Sequence, residues 1–227
     1  MRVAIIPARG GSKRIPRKNI ADFCGSPMIS YSINAAKNSK IFDRVVVSTD
    51  DQEISEIALK FGAEVPFKRP KNISDDLTPT LPVVHHAIHM IEKDGITVDE
   101  ICCIYPCSPL LLSEDLRKSL DEMIKSRSKS CIPVCRFQSA PQRAFLMSKT
   151  KNLKWADAKF KLTRTQDLEI MFHDIGSFYW ATRDKWLSGD ISNGIGYEVP
   201  AWRTSDIDDL DDWKRAEVIY KSIKKQN

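Results

Sequence analysis

The apolar positions of the chain fall into short runs separated by longer stretches of helical period. Val3 to Ile6, Arg44 to Ser48, Ile101 to Tyr105 and Ser130 to Cys135 are rich in β-branched residues and read as buried strands. Between the first two, Met28, Ile29, Ile33 and Ala36 fall on one helical face, after a turn at Phe23 to Ser26 and a proline, Pro27, suited to a first helical turn. Strand alternating with helix predicts an α/β fold, a mainly parallel sheet covered by helices.

After the second run, Asp50 or Asp51 is placed to cap a helix running to Phe61. Gly62 ends that helix, and a short extended piece, Glu64 to Phe67, follows. A carboxylate at a helix N-terminus already has its partners in the free N–H groups, so both aspartates are read as caps rather than catalytic acids. Near the C-terminus, Leu210, Trp213, Ala216, Tyr220 and Ile223 form one stripe of a helix predicted over 210–225, expected to pack on the sheet. The stretch 137–171 is polar, weakly periodic and carries Arg143, Lys159, Lys161 and Arg164; it is expected to be a lobe inserted into a single domain spanning 1–227.

Composition changes this picture little. The 227 residues are 42% hydrophobic, as in an ordinary globular chain, and 35 Lys plus Arg against 30 Asp plus Glu give a net charge of +5. That excess permits an anionic ligand without demanding nucleic acid. The opening MRVAIIPARGG resembles neither a signal peptide nor a membrane span, so a cytoplasmic protein is expected. Six cysteines lack the paired CxxC spacing of a zinc site and are expected to be reduced and mostly buried. His85, His86 and His89 lie in a helix-like stretch without metal-ligand partners and are read as structural or surface residues.

Candidate chemistry begins directly after the first strand. ARGGSKRIPRKN, residues 8–19, holds Arg9, Lys13, Arg14, Arg17 and Lys18, cations that would repel one another without anionic company. Open parallel sheets bind ligands beyond the carboxyl ends of their strands, and Gly10 and Gly11 let backbone N–H groups approach a phosphate chain, so a triphosphate is the expected guest. The loop has neither GxxxxGK[ST] nor GxGxxG, which removes the Walker and dinucleotide readings. It contains no aromatic residue, which argues against RNA stacking. Far along the chain, Asp206 and Asp208 flank Ile207; in an extended segment both carboxylates point to one side, a hard oxygen pair suited to Mg²⁺. Asp209, Asp211 and Asp212 are placed to favour the N-terminus of the final helix.

ARGGSKRIPRKN resembles the opening motif of the cytidylyltransferases that make CMP-activated nonulosonic acids. The resemblance continues through VSTDDQEI at 47–54, RPKNISDD at 69–76, YPCSPLL at 105–111 and SDIDDLDDW at 205–213, nearly the whole chain. It implies a Rossmann-like nucleotidyltransferase fold whose opening loop holds the CTP phosphates through Arg9, Ser12, Lys13, Lys18 and Asn19. Arg69, Asp76 and Ser108 would belong to the cytidine and ribose pocket. SKRIP, APQRAF at 140–145, TRTQDL at 163–168 and HDIGSFY at 173–179 resemble the pseudaminic acid subgroup, and Tyr105 and Leu111 depart from the QPTSPLR of sialate enzymes.

The reaction so implied is Mg²⁺-dependent transfer of CMP from CTP to the anomeric hydroxyl of an acidic nine-carbon sugar, releasing pyrophosphate. Arg143 or Arg164 would hold the sugar carboxylate, Gln166 and Asp167 would read hydroxyl or amide groups, and His173 would be oriented by Asp174 or the sugar. The family's comparable insertion reaches a second subunit, which implies a homodimer, with no part for nucleic acid or membrane. The same reaction on legionaminic, N-acetylneuraminic or 3-deoxy-manno-octulosonic acid is the nearest alternative. A CTP-binding module without catalysis would lack the metal pair, and Asp206 and Asp208 stand against it.

Overall fold

A computed structural model describes residues 1–93 and 95–224. The chain opens with β1 (Arg2–Pro7), passes through the basic loop into a tight hairpin, β2 (Asp22–Phe23) and β3 (Ser26–Pro27), and enters α1 (Met28–Ser39). β4 (Arg44–Ser48), α2 (Gln52–Lys60), α3 (Thr80–Glu92), β5 (Glu100–Ile104), α4 (Ser113–Lys125) and β6 (Ser130–Arg136) continue the alternation. The polar stretch after β6 carries the hairpin β7 (Phe145–Met147) and β8 (Leu153–Trp155) and returns through β9 (Phe172–Asp174). β10 (Phe178–Thr182), α5 (Arg183–Leu187), β11 (Ile195–Glu198) and α6 (Leu210–Lys224) complete the chain.

The main sheet runs β11-β6-β10-β5-β1-β4, with β9 also on β6. β1 is parallel to β4 and β5, and β11 to β6, while β10 runs antiparallel between β5 and β6. Alternate residues of β1 explain its unbroken apolar run. Ala4 and Ile6 pack with Ile29 and Ile33 of α1 and Leu116 and Leu120 of α4, whereas Val3 and Ile5 pack with Val84, Ile88 and Ile91 of α3. The carboxyl ends of β1, β4 and β5 therefore share one edge, where a ligand belongs.

Asp51 caps α2 by accepting the Ile54 N–H at 3.0 Å, and Gly62 (φ +81°) turns the chain after it. Glu64 and Lys68 then bridge Val46 and Thr49, so the extended piece lies beside β4. Cys102, Cys103, Cys131 and Cys135 are buried and Cys24 and Cys107 half-buried. His85 meets the Trp186 carbonyl at 2.7 Å, and His86 packs edge-on against Phe67. Among the described residues no helix is long and apolar enough to cross a membrane.

α6 departs from the expectation that it packs on the sheet. Both sheet faces are already covered, so Trp213, Ala216 and Tyr220 shelter against Phe23, Tyr31 and Ile207 beside the β2–β3 hairpin, with ring centroids 5.1–5.6 Å apart. Leu210 stays 62% exposed, and residue 225 of the predicted helix lies outside the described residues. This aromatic cluster fixes Ile207 between the two candidate metal ligands.

The approach to that segment is pinned by a buried ion pair. Arg203 donates to both oxygens of Asp115 at 2.6 and 2.8 Å, and Tyr197 adds its hydroxyl at 3.3 Å. Arg203→Ala leaves the carboxylate buried without its cation and is expected to cost about 3–5 kcal/mol in urea unfolding. A loss below about 1 kcal/mol would mean that water reaches Asp115 freely.

Candidate active site

The loop 8–19 is held from below by the end of β4. Ala8 N–H donates to the Ser48 carbonyl at 2.9 Å, and Gly10 N–H donates to Asp50 at 3.1 Å. Arg17, itself at φ +56°, forks onto Asp51 at 2.5 and 3.0 Å and also meets Glu53. Its guanidinium holds the Asp51 carboxyl below the usual carboxylate range. Asp51 thus caps a helix and anchors the loop at once, and Arg17 is a clamp rather than a free anion receptor.

Close packing decides which glycine matters. A Cβ on Gly10 would sit 2.6 Å from an Asp51 carboxylate oxygen, whereas one on Gly11 would meet nothing within 4 Å. Gly10→Ala is therefore expected to push the loop off its Asp51 anchor and raise the KM for the ligand the loop holds by about tenfold, with Gly11→Ala near wild type. Steady-state kinetics of the two variants checks this; equal effects would contradict it.

From the loop, Arg9, Ser12, Lys18 and Asn19 line a cleft of about 270 Å³ together with Pro7 at the end of β1. Lys18 donates to the Ile207 carbonyl at 2.7 Å and so ties the loop to the 206–208 segment. Asn19 is buried and lines the cleft, donating to the Arg9 carbonyl at 2.9 Å and accepting from the Cys107 thiol at 3.2 Å. It acts here as a strut for the loop. Burial pushes the Cys107 thiol up to about 12, so this group stays a neutral donor.

Arg69 forms part of the cleft wall while only 4% exposed. It donates to the Ser48 carbonyl and, at 3.2 Å, to the Ser48 hydroxyl, and among the described residues it makes no ion pair. Burial lowers its pKa to about 10, which leaves it charged at neutral pH. The Asp50 charge reaches it without forming an ion pair, so a buried cation with donors to spare stands in the cleft wall, able to receive a polar ligand.

Asp206 also lines the cleft, near Gly176. Loss of water within the cleft, and then the neighbouring Asp208 carboxylate, push its carboxyl above the usual range. Ile207 between them is buried, and of the two carboxylates Asp206 lines the cleft while Asp208 lies outside its lining. Asp208 meets Arg14 at 2.8 Å. The Asp208 charge acts on Asp206, and a pair of neighbouring carboxylates has the hard oxygen chemistry of a divalent-cation site.

The model for the family described as Cytidylyltransferase matches residues 3–181. This chain belongs to the cytidylyltransferase family. A pseudaminic acid cytidylyltransferase of Campylobacter jejuni is 43% identical over 222 residues, covering 96% of each chain. A CMP-N,N'-diacetyllegionaminic acid synthase of Legionella pneumophila is 30% identical over 233 residues, again covering 96% of each. A CMP:2-keto-3-deoxy-manno-octonic acid synthetase solved with CTP shares the fold, with a TM-score of 0.71 at 18% identity over 100% of this chain and 99% of its own. The Rossmann-like nucleotidyltransferase fold expected from the motifs is therefore the fold present.

In this cytidylyltransferase the predicted residues separate by position. Arg9, Ser12, Lys18, Asn19, Arg69 and Asp206 share the cleft. Lys13 and Asp76 pair just outside its lining, and buried Ser108 donates to the Ser177 carbonyl at 3.3 Å behind it. Arg143, Arg164, Gln166, Asp167 and His173 lie in or beside the lobe and do not line the cleft. Arg143 donates to Thr165 at 3.2 Å over the Trp155 ring, and His173 packs against Phe137.

Thr78, Thr80 and Tyr105 complete the cleft without having been expected as binding residues. The hydroxyls of Thr80 and Tyr105 bond at 2.9 Å, and Tyr105 packs edge-on to Tyr179, which donates to Asp174 at 2.7 Å. Burial raises the Tyr105 phenol, so it stays protonated and able to donate a hydrogen bond. Tyr105 stood out in YPCSPLL as a departure from sialate enzymes; the threonines carry no spacing signal.

Proposed function

We propose that the protein transfers CMP from CTP to the anomeric hydroxyl of pseudaminic acid, giving CMP-pseudaminic acid and pyrophosphate. The observation that carries this reading is the meeting of the basic loop with Asp206 in one cleft, tied by Lys18 to the backbone of Ile207. The family match and the 43% identical relative supply the substrate class.

Arg9, Ser12, Lys13 and Lys18 hold the triphosphate, and Arg69 offers its spare donors to oxygens of the cytosine or ribose. The sugar hydroxyl attacks the α-phosphorus; an O–P bond forms, the bond to the β-phosphate oxygen breaks, and its electron pair leaves on pyrophosphate. The hydroxyl proton passes to solvent. Arg9 and Lys18 compensate the charge that builds on the phosphoryl oxygens. Asp206 and Asp208 are the residues that would hold Mg²⁺, which when bound supplies Lewis acidity to the α-phosphate and the attacking hydroxyl.

The sugar is assigned to Arg143, Arg164, Gln166, Asp167 and His173 through a homodimer. Leu146, Met147, Leu153 and Leu162 are exposed on the lobe, an apolar surface suited to a second copy of the chain, whose cleft the lobe residues would then complete. The reaction belongs to the cytoplasm, where CTP is made.

Pyrophosphate release with pseudaminic acid and each of CTP, UTP, ATP and GTP tests the nucleotide assignment. Release with CTP alone, abolished by EDTA and restored by Mg²⁺, is expected. Equal release with UTP would overturn the cytidine reading, and release that persists in EDTA would overturn the metal.

A further inference from the structure

The cations of the phosphate loop are not idle in the ligand-free protein. Arg9 meets one oxygen of Asp76, and Lys13 meets the other. These contacts, Lys13 first and then Arg9, hold the Asp76 carboxyl below its usual range. The backbone around Asp76 is fixed independently, because the Asp75 side chain accepts from Leu77 N–H at 2.9 Å, Thr78 N–H at 2.7 Å and the Thr78 hydroxyl at 2.8 Å. The carboxylate is therefore presented to the loop by a preformed turn. Arg9 faces the cleft while Asp76 does not, and Lys13 is exposed on a flexible stem.

We propose that Asp76 is a built-in counter-anion that occupies Arg9 and Lys13 while the cleft is empty, yields them to the phosphates of CTP, and recaptures them as pyrophosphate leaves. This rests on the reading of loop 8–19 as the phosphate site. Asp76 differs from Asp51, another carboxylate that meets the loop, which also caps α2 and has a structural reason to stay. A single carboxylate in partly exposed ion pairs competes weakly with a polyphosphate of several charges, so the exchange favours substrate. Against departing pyrophosphate the same carboxylate, already tethered beside both cations, acts at high effective concentration. It lowers affinity for substrate phosphates slightly and shortens the residence of the product.

The two possible roles of Asp76 predict opposite signs. If it contacted nucleotide directly or merely supported the loop, its loss would weaken phosphate binding; as a competitor, its loss strengthens it. Binding of inorganic pyrophosphate to the full chain by calorimetry, with product inhibition against CTP as a second readout, separates them. Asp76→Asn is expected to tighten pyrophosphate binding and lower its inhibition constant by about threefold to tenfold, the scale set by two exposed ion pairs. Asp76→Glu, which restores the charge, is expected to return both toward wild type. Unchanged or weaker binding by Asp76→Asn would overturn the proposal. No pyrophosphate binding by the wild type or either variant would overturn the phosphate-loop reading with it.

Discussion

Arg69→Met is expected to lower kcat/KM for CTP by about a hundredfold while shifting the melting temperature by only a few degrees, since a charge-assisted hydrogen bond contributes about 1.5–3 kcal/mol. The side chain is 4% exposed, is held only by Ser48, and has no carboxylate partner among the described residues. Burial depresses its pKa, which means that the fold bears a cost for keeping the group charged. Methionine removes that cost and fills similar space, offsetting the lost bonds to Ser48. A cation retained against its own desolvation, in the wall of a cleft, is explained by a ligand. If the variant unfolded while its folded fraction kept wild-type kcat/KM, Arg69 would be a structural residue instead.

Asp206→Asn should abolish most turnover, about a thousandfold, and at the same time raise the stability of the ligand-free protein. The sign follows from the raised carboxyl: the folded state disfavours the ionised form, so a neutral isostere relieves first the desolvation and then the Asp208 repulsion that the unfolded chain does not feel. By the same linkage, stability at this site increases as the pH falls through the raised value and levels off below the ordinary aspartate range. Kinetics together with thermal unfolding in EDTA checks both halves. A variant that loses activity and stability together would point to packing, and one that keeps full activity would remove Asp206 from the chemistry.

The parts of the fold legible in the sequence are those whose cause is local. β1, β4 and β5 are buried on both faces and β6 largely so, and each appears as a short, mostly apolar run, while Asp51 and Gly62 mark the ends of α2 by their own chemistry. β10 and β11 escape such reading: β10 takes its reversed direction from pairing with β5 and β6, which no stretch of FYWAT encodes. The stripe of α6 was legible but its partner was not, because the choice between sheet and hairpin depends on which faces other helices already cover.

The site divides in the same way. A cluster of cations after the first strand is visible to anyone counting charges, but its sorting is not. Arg17 belongs to Asp51 and Glu53, Arg9 and Lys13 belong to Asp76, and Arg14 belongs to Asp208, partners brought together only by the folded chain. Asn19 became a strut because the Cys107 thiol, on the loop after β5, takes its carbonyl oxygen. Thr80 joined the cleft because the start of α3 lies across from Tyr105, a juxtaposition without any sequence spacing.

The most direct test of the account is kcat/KM for pyrophosphate release with CTP and Mg²⁺, measured separately for pseudaminic, legionaminic and N-acetylneuraminic acids. Pseudaminic acid is expected to be preferred by about a hundredfold or more, the discrimination available to a site that hydrogen-bonds its sugar's polar substituents. A higher value with either of the other acids, or no release with any of them, would contradict it.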